Sequence, residues 1–314
     1  MFQNPLTIAS KNITVVGAGR DATILTFKSN GIVASNSRIG IRDLTIATDT
    51  DNLYSAIQIT GGWPGGVPTT QPHIENIYIA PYTGGCSWHK GIELISTAGA
   101  KIERFEINMA RTGTGNVTGP SRGIHLSAGS SITNIASGVI ANADIGIEVS
   151  DQFSEGLYCR GLEILFCDTG FLLTAPGPGS AISDCHTKTQ YYGIRTHNHG
   201  EMALIGNLLY GSESNYVGIE LDGNGSPSAA YGSHKCRVIG NLINSGTTGM
   251  GIHLTGYTKD CIVANNVIDA PFAIGVNLNG ANVTNNVVIG NRLKVATPIG
   301  PGVPGPGNVT TPNY

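Results

Sequence analysis

The sequence predicts an all-β solenoid wound into about ten coils, and three observations lead there: a recurring four-residue phrase, a second apolar phrase after each copy, and a composition rich in turn-formers. The clearest copies of the first phrase are Gly91-Ile92-Glu93-Leu94, Gly123-Ile124-His125-Leu126, Gly146-Ile147-Glu148-Val149, Gly218-Ile219-Glu220-Leu221 and Gly251-Ile252-His253-Leu254. Looser copies begin at Gly31, Ala56, Gly170, Gly193 and Gly275. Successive copies start 25, 35, 32, 23, 24, 23, 25, 33 and 24 residues apart. A minimum near 23 with occasional insertions marks a repeating coil.

Each element follows from its pattern. The first phrase alternates apolar, variable, apolar, the period of a strand with one face in a core. Its variable third residue therefore points outward. The second phrase sets two apolar residues around a turn-former: Ile41 to Leu44 around Asp43, Ile74 to Ile77 around Asn76, Ile132 to Ile135 around Asn134, and Ile182 to Cys185 around Asp184. Later copies place Asn207, Asn241, Asn266 and Asn286 just before an apolar residue. Asn and Asp tolerate the left-handed backbone of a sharp corner. One per coil, they stack as a ladder of amides.

The bounds agree. In 314 residues there are 44 glycines and only 12% charged residues, and the repeat runs unbroken from about Gly31 to Val288, so one elongated domain is expected. A net charge of −3 argues against a nucleic-acid partner, which requires a basic stripe. No run of 18 apolar residues exists to span a membrane, and Met1 to Pro5 lacks the basic and apolar regions of a signal peptide. Six cysteines occur, and Cys159, Cys185, Cys236 and Cys261 fall at or beside apolar positions, as buried free thiols do. Cys and His pairs with metal-ligand spacing are missing, so neither metal nor cofactor is expected.

In chain order, residues 1–30 form an opening coil, 31–295 the body, and 296–314 an extended tail rich in Pro and Gly. Ile13 to Phe27 reads as two strands around Gly17-Ala18-Gly19, and a second strand pattern in place of a helix excludes a dinucleotide-binding turn. This stretch, with its Gly-x-Gly turn before Thr23-Ile24-Leu25, resembles the opening coil of the right-handed parallel β-helices of the pectate-lyase-like superfamily, phage tailspikes above all. The resemblance implies a right-handed single-stranded parallel β-helix. It also implies a homotrimer in a virion tail or outside the cell, acting on a bacterial surface polysaccharide as a glycoside hydrolase. Such proteins usually begin with a capping helix; its absence suggests a fragment, a processed product, or a chain capped by another subunit. The paired-aspartate and Gly-His-Gly set of polygalacturonases and the Asp-His signature of pectate lyases are both missing. Four insertions, Gly61 to His73 with Trp63, Pro81 to Lys90 with Tyr82 and Trp88, Ala110 to Arg122, and Gly223 to Lys235 with Tyr231, flank the first-phrase strands and are expected to wall a groove.

Stacking the coils lines up the outward residues Gln58, Glu93, His125, Glu148, Leu172, Arg195, Glu220, His253 and Asn277, with His197 and Asp222 in a parallel column. Carboxylates and imidazoles concentrated on one face of a chain with few charges point to acid–base work on a sugar, although cross-strand ion pairing makes the same pattern. Glu220, Asp222 and Glu148 are the candidate catalytic carboxylates. Arg195, His197, His125, His253 and Glu93 are candidate substrate contacts, and Tyr191, Tyr192, Tyr216, Trp88 and Trp63 offer flat faces to a sugar. Two other readings stay open: a secreted polysaccharide lyase or epimerase on this fold, and a non-catalytic adhesin or structural spike.

Overall fold

A computed structural model describes residues 1–35, 38–50, 52–62, 71–82, 86–109, 120–151, 154–174, 177–223, 232–269, 271–300, 302 and 305–313. Among them every element is a strand, neighbouring strands pair in parallel, and no helix is long and apolar enough to cross a membrane. The fold is the right-handed parallel β-helix expected from the repeat. It divides into two compact units, Met1–Tyr158 and Cys159–Tyr314.

In the first unit, the strands Leu6–Ile8, Ile32–Ser35, Asn52–Thr60, Trp88–Ile95, Arg122–Ser127 and Ile145–Val149 stack in parallel as one sheet. In the second, Glu163–Leu173, His186–His197, Tyr216–Gly223, Gly249–Gly256, Ile274–Asn279 and Thr297–Ile299 do the same. Ile92, Leu94, Ile124, Leu126, Ile147, Val149, Ile219, Leu221, Ile252 and Leu254 are all buried in the cores, as the alternation requires.

The glycine that opens each phrase has a steric cause. A Cβ built on Gly91 would stand 2.6 Å from the carbonyl oxygen of Gly123, and one on Gly193 or Gly218 would stand 2.6 Å from that of Gly218 or Gly251. Each coil thus lays its backbone on the glycine below, and a side chain there has no room.

The asparagine ladder is present, with two changes of detail. Asn207 Nδ2 donates to Asn241 Oδ1, Asn241 Nδ2 to Asn266 Oδ1, and Asn266 Nδ2 to Asn291 Oδ1, each at 2.9 Å, and Asn291 continues to Asn313 at 3.0 Å. Asn286 belongs to a second ladder, bonding Asn308 at 2.9 Å with the backbone of Cys261 above it. The left-handed corner residue is mostly the one before the ladder asparagine, as at Gly206, Gly240, Asn265, Asn285 and Gly290. Asp43, Asn76 and Asp184 do take that conformation, but Asn134 lies within the strand Thr133–Ala136 and the exposed Ile132 takes the corner instead.

Residues 296–314, read from composition as an extended tail, carry a further coil. Thr297–Ile299 and Val309–Thr310 pair in register with the strands before them, and Asn308 and Asn313 extend both ladders. Backbone and amide pairing outweigh the proline content there. All six cysteines are free thiols, and burial pushes the Cys185 thiol up to about 11.

Candidate functional site

The outward residues fall in register as the repeat demands, and they gather into one cluster in each unit. In the first unit Gln58, Glu93, His125 and Glu148 are successive partners. Glu93 accepts hydrogen bonds from Ser55 Oγ and Gln58 Nε2, both at 2.8 Å, and pairs with Lys90. Glu148 pairs with Arg122. His125 lies between the two carboxylates, 3.6 Å from Glu93 and 3.7 Å from Glu148, and meets Ser150 Oγ at 2.8 Å. Burial pushes the Glu93 carboxyl up, but hydrogen bonds from His125, Lys90 and Ser55 outweigh it and hold the group well below the usual carboxylate range. With side chains this enclosed, the cluster is a closed network of opposite charges.

In the second unit Arg195, Glu220, His253 and Asn277 are successive partners, and beside them run His197, Asp222, Thr255 and Asn279. Arg195 Nε donates to Glu220 Oε1 at 2.7 Å, and His253 Nδ1 stands 3.2 Å from Glu220 Oε2. Burial alone raises the Glu220 pKa; the hydrogen bond from His253 and the charge and hydrogen bond of Arg195 reverse the sign and keep the carboxylate ionised. His197 Nδ1 meets Asp222 Oδ2 at 2.9 Å. A carboxylate on one ring nitrogen fixes the tautomer with its proton there and leaves Nε2 as an acceptor, the arrangement of a general base. The Arg195 guanidinium lies 4.4 Å over the ring of Tyr192, whose phenol is raised by burial and by the Glu220 charge.

The expected site residues therefore divide. Arg195, His197, Glu220, Asp222 and His253 come together; Glu93, His125 and Glu148 form the other cluster. Tyr191 is 45% exposed, but its neighbour Tyr192 makes the contact with Arg195. Two aromatic assignments are corrected. Trp88 is fully buried and offers no face to a sugar. Tyr216 is fully buried as well: its ring occupies the room left by Gly193 and Gly211 and stacks on Phe272 at 6.2 Å. Trp63, Tyr231 and the middles of the four insertions lie outside the described residues.

Tyr192, one of the expected aromatic faces, completes the second cluster; Lys90 and Arg122 complete the first without an expected role. These two immediately precede the glycine of their phrases, so the copies aligned one residue earlier reveal them. In the second unit that position forms a shelf of Tyr192, Val217, Met250 and Ile274 in register, apolar except for the phenol. Among the described residues, His73, Glu75 and Glu103 bring three metal-type donors within 4.8 Å of one another. Lys101 and Arg104 already pair with those carboxylates.

Neither a family model nor a curated protein matches this chain. Solved structures do. The catalytic domain of a GH87 alpha-1,3-glucanase, in complex with nigerose, matches 99% of this chain at 15% identity and a TM-score of 0.64. The A-module of a mannuronan C-5 epimerase from Azotobacter vinelandii matches all of it at 14% identity and TM-score 0.53, covering 90% of that chain. A periplasmic alginate epimerase matches 98% of it at 13% identity and TM-score 0.54, over 77% of that chain. The present chain spans 61% of the glucanase domain's length. At such identities the similarity establishes the parallel β-helix fold and leaves the reaction to the residues of the site.

Proposed function

We propose that this protein processes a polysaccharide lying along the outer face of the first-phrase strands of the second unit, with its chemistry at Arg195, His197, Glu220 and Asp222. The observation that carries this reading is the pairing of an apolar shelf, Tyr192, Met250 and Ile274, with a fixed set of proton-transfer and charged groups in the adjoining columns. A sugar presents an apolar C–H face and a rim of hydroxyls, and such a surface suits both. The fold of the glucanase and the epimerases supports the same class of substrate.

In the depolymerase reading, a tailspike-like protein cleaves a bacterial surface glycan. Glu220, held ionised, serves as base or nucleophile, and the leaving group takes its proton from Nε2 of His197 in the imidazolium form, whose charge Asp222 stabilises. A lyase or epimerase is the second reading, favoured by the His197–Asp222 geometry: Nε2 withdraws a proton beside a uronate while Arg195 neutralises its carboxylate.

The tailspike reading also carries a homotrimer. Its support in the second unit is the outer surface of the stacked strands Ala203–Ile205, Ile262–Ala264, Val287–Ile289 and Val309–Thr310, where Ile205, Ile262, Ile289 and Val309 are each 40–48% exposed. In the first unit one outward column instead carries Arg42, Glu75 and Glu103 beside Val16. Together the four present on the order of 300 Å² of apolar surface, the lower end of the size that marks an interaction face.

The test is incubation with a panel of bacterial capsules. New reducing ends report hydrolysis, an unsaturated product reports elimination, and inverted sugar configuration without shortening reports epimerisation. Glu220→Gln and His197→Ala should each lower turnover by about a hundredfold with binding retained. A bound glycan unchanged after long incubation would leave an adhesin and overturn the enzyme reading.

A further inference from the structure

The outer face of another sheet in the first unit holds a hollow that the reaction does not use. Three strands cross it in register: Ile13–Val16, Ile39–Thr48 and His73–Pro81. Thr14 pairs with Gly40 and Gly40 with His73; Val16 pairs with Arg42 and Arg42 with Glu75. Ile41 and Ile74 alternate with these and fill the core. The outward positions thus make a grid: Asn12, Thr14 and Val16 in one row, Arg38, Gly40 and Arg42 in the next, Gln71, His73 and Glu75 in the third. Its centre is Gly40, the one position without a side chain.

The consequence is an open cleft of about 470 Å³ lined by these residues. That volume falls within the range of small-ligand sites. A Cβ at the floor would stand 2.8 Å from Thr14 Cγ2 and 2.9 Å from Thr14 Oγ1, so any larger residue there would have to displace the Thr14 side chain.

The charges available to a ligand are cationic. Arg38 is exposed and has no ion-pair partner among the described residues, and Arg42 Nε reaches only Asp43, at 3.9 Å. Glu75, the one carboxylate of the lining, is paired with Arg104 and lies 3.7 Å from His73; His73 in turn meets Glu103 at 3.0 Å. Two guanidiniums therefore flank an empty floor along the strand, in a chain whose net charge is −3. Around them Asn12, Thr14 and Gln71 supply neutral donors and acceptors.

We propose that this hollow is a second glycan subsite, for a sugar unit bearing a carboxylate. The anion sits between Arg38 and Arg42, where guanidinium pairing is strong and geometrically selective, and the sugar hydroxyls exchange hydrogen bonds with the amides and Thr14. The anion class follows from the cleft itself; only the choice of a sugar as its carrier rests on the polysaccharide reading.

Calorimetric titration of the full chain tests it, with tetrasaccharides of glucuronic, galacturonic and mannuronic acid, neutral cellotetraose and inorganic phosphate as probes. At least one acidic tetrasaccharide should bind, more weakly as salt rises, while cellotetraose should not bind at this site. The Arg38→Ala/Arg42→Ala variant should lose about tenfold or more in affinity, and Arg195→Ala, on the strand His186–His197 of the second unit, should leave that component in place. Circular dichroism confirms that each variant is folded. Phosphate binding as tightly as the sugars would overturn the sugar. Absence of binding by every acidic probe, or a loss caused by Arg195→Ala and not by the double variant, would overturn the site. If the component persists while no polymer is processed, the proposed reaction fails and this subsite stands.

Discussion

Replacing Asn241 by leucine tests what the amide ladder contributes, because leucine keeps asparagine's branched heavy-atom skeleton, removes every polar atom from it and leaves no cavity. Asn241 is 1% exposed. Its Nδ2 donates to Asn266 Oδ1 and to the Leu204 carbonyl, both at 2.9 Å, and its Oδ1 accepts from Asn207 N at 3.0 Å and Asn207 Nδ2 at 2.9 Å. The leucine orphans two groups in the interior, the Asn207 N–H and one proton of the Asn207 amide, while the Leu204 carbonyl loses one partner but stays in its parallel ladder opposite Val238. The other amide proton keeps Ile182 O, and Asn266 Oδ1 keeps the backbone N–H of residue 241. At about 1–3 kcal/mol per orphaned group, partly relieved by relaxation, the cost is roughly 2–4 kcal/mol, a large share of an ordinary domain's stability. The control is Asn313→Leu, at the half-exposed end of the same ladder, where water replaces the lost partners and the cost should stay near 1 kcal/mol. Urea unfolding followed by far-ultraviolet circular dichroism reads both. A loss under about 1 kcal/mol at Asn241, or equal losses at the two positions, would refute the claim that the ladder is a structural spine.

Gly218→Ala should destabilise the second unit by about 1–3 kcal/mol or prevent its folding, since the new methyl would stand 2.6 Å from the Gly251 carbonyl oxygen; an unchanged melting temperature would deny the glycine stack its role. Glu220 has a folded pKa below its ordinary 4.5, so its ion pairs stabilise fully above that value and are lost as pH falls through the lowered one. Melting temperature measured down through this window should fall less steeply in Glu220→Gln than in the parent; equal slopes would contradict the pairing. If the apolar face of the second unit joins copies of this chain, Ile262→Lys/Ile289→Lys should shift the mass measured by light scattering to that of a monomer without lowering the melting temperature, whereas a parent that is itself monomeric at micromolar concentration would remove the trimer.

The solenoid is legible because its two causes are written locally. The Gly-Ile-x-Leu phrase records both the alternation of a half-buried strand and the close approach at the glycine, so core, register and outward column follow from sequence spacing alone. Asn286 shows where such reading stops. It occupies the same sequence context as Asn266, yet it belongs to a different ladder, because each coil carries two similar corners and only three-dimensional stacking tells which one an asparagine fills. The aromatic assignments failed for a related reason. Trp88 and Tyr216 stand close to first-phrase strands, but whether a ring turns in or out depends on voids such as those at Gly193 and Gly211, and those depend on residues a coil away. The hollow at Gly40 was illegible until three rows were laid side by side, since its content is a missing side chain.

The two clusters on the first-phrase strands show how one repeat yields two kinds of surface. In the clearest copies of both units the third residue of the phrase is a carboxylate or an imidazole; what differs most is the residue before the glycine. In the first unit that residue is Lys90, Arg122 or the buried Ile145, and the first two close ion pairs with Glu93 and Glu148. Charges satisfied that fully have little left to offer a ligand, and breaking the pairs to admit one exposes a desolvated carboxylate. In the second unit the same position holds Tyr192, Val217, Met250 and Ile274, so Glu220 has to be neutralised from within its own column by Arg195 and His253. The shelf then stays apolar, beside groups already fixed in orientation and charge. A sugar docking there displaces water from carbon and hydrogen without unpairing an ion, while His197 keeps one ring nitrogen free for a proton. This asymmetry, set by single residues at equivalent places in the repeat, is the physical reason to look for chemistry in the second unit.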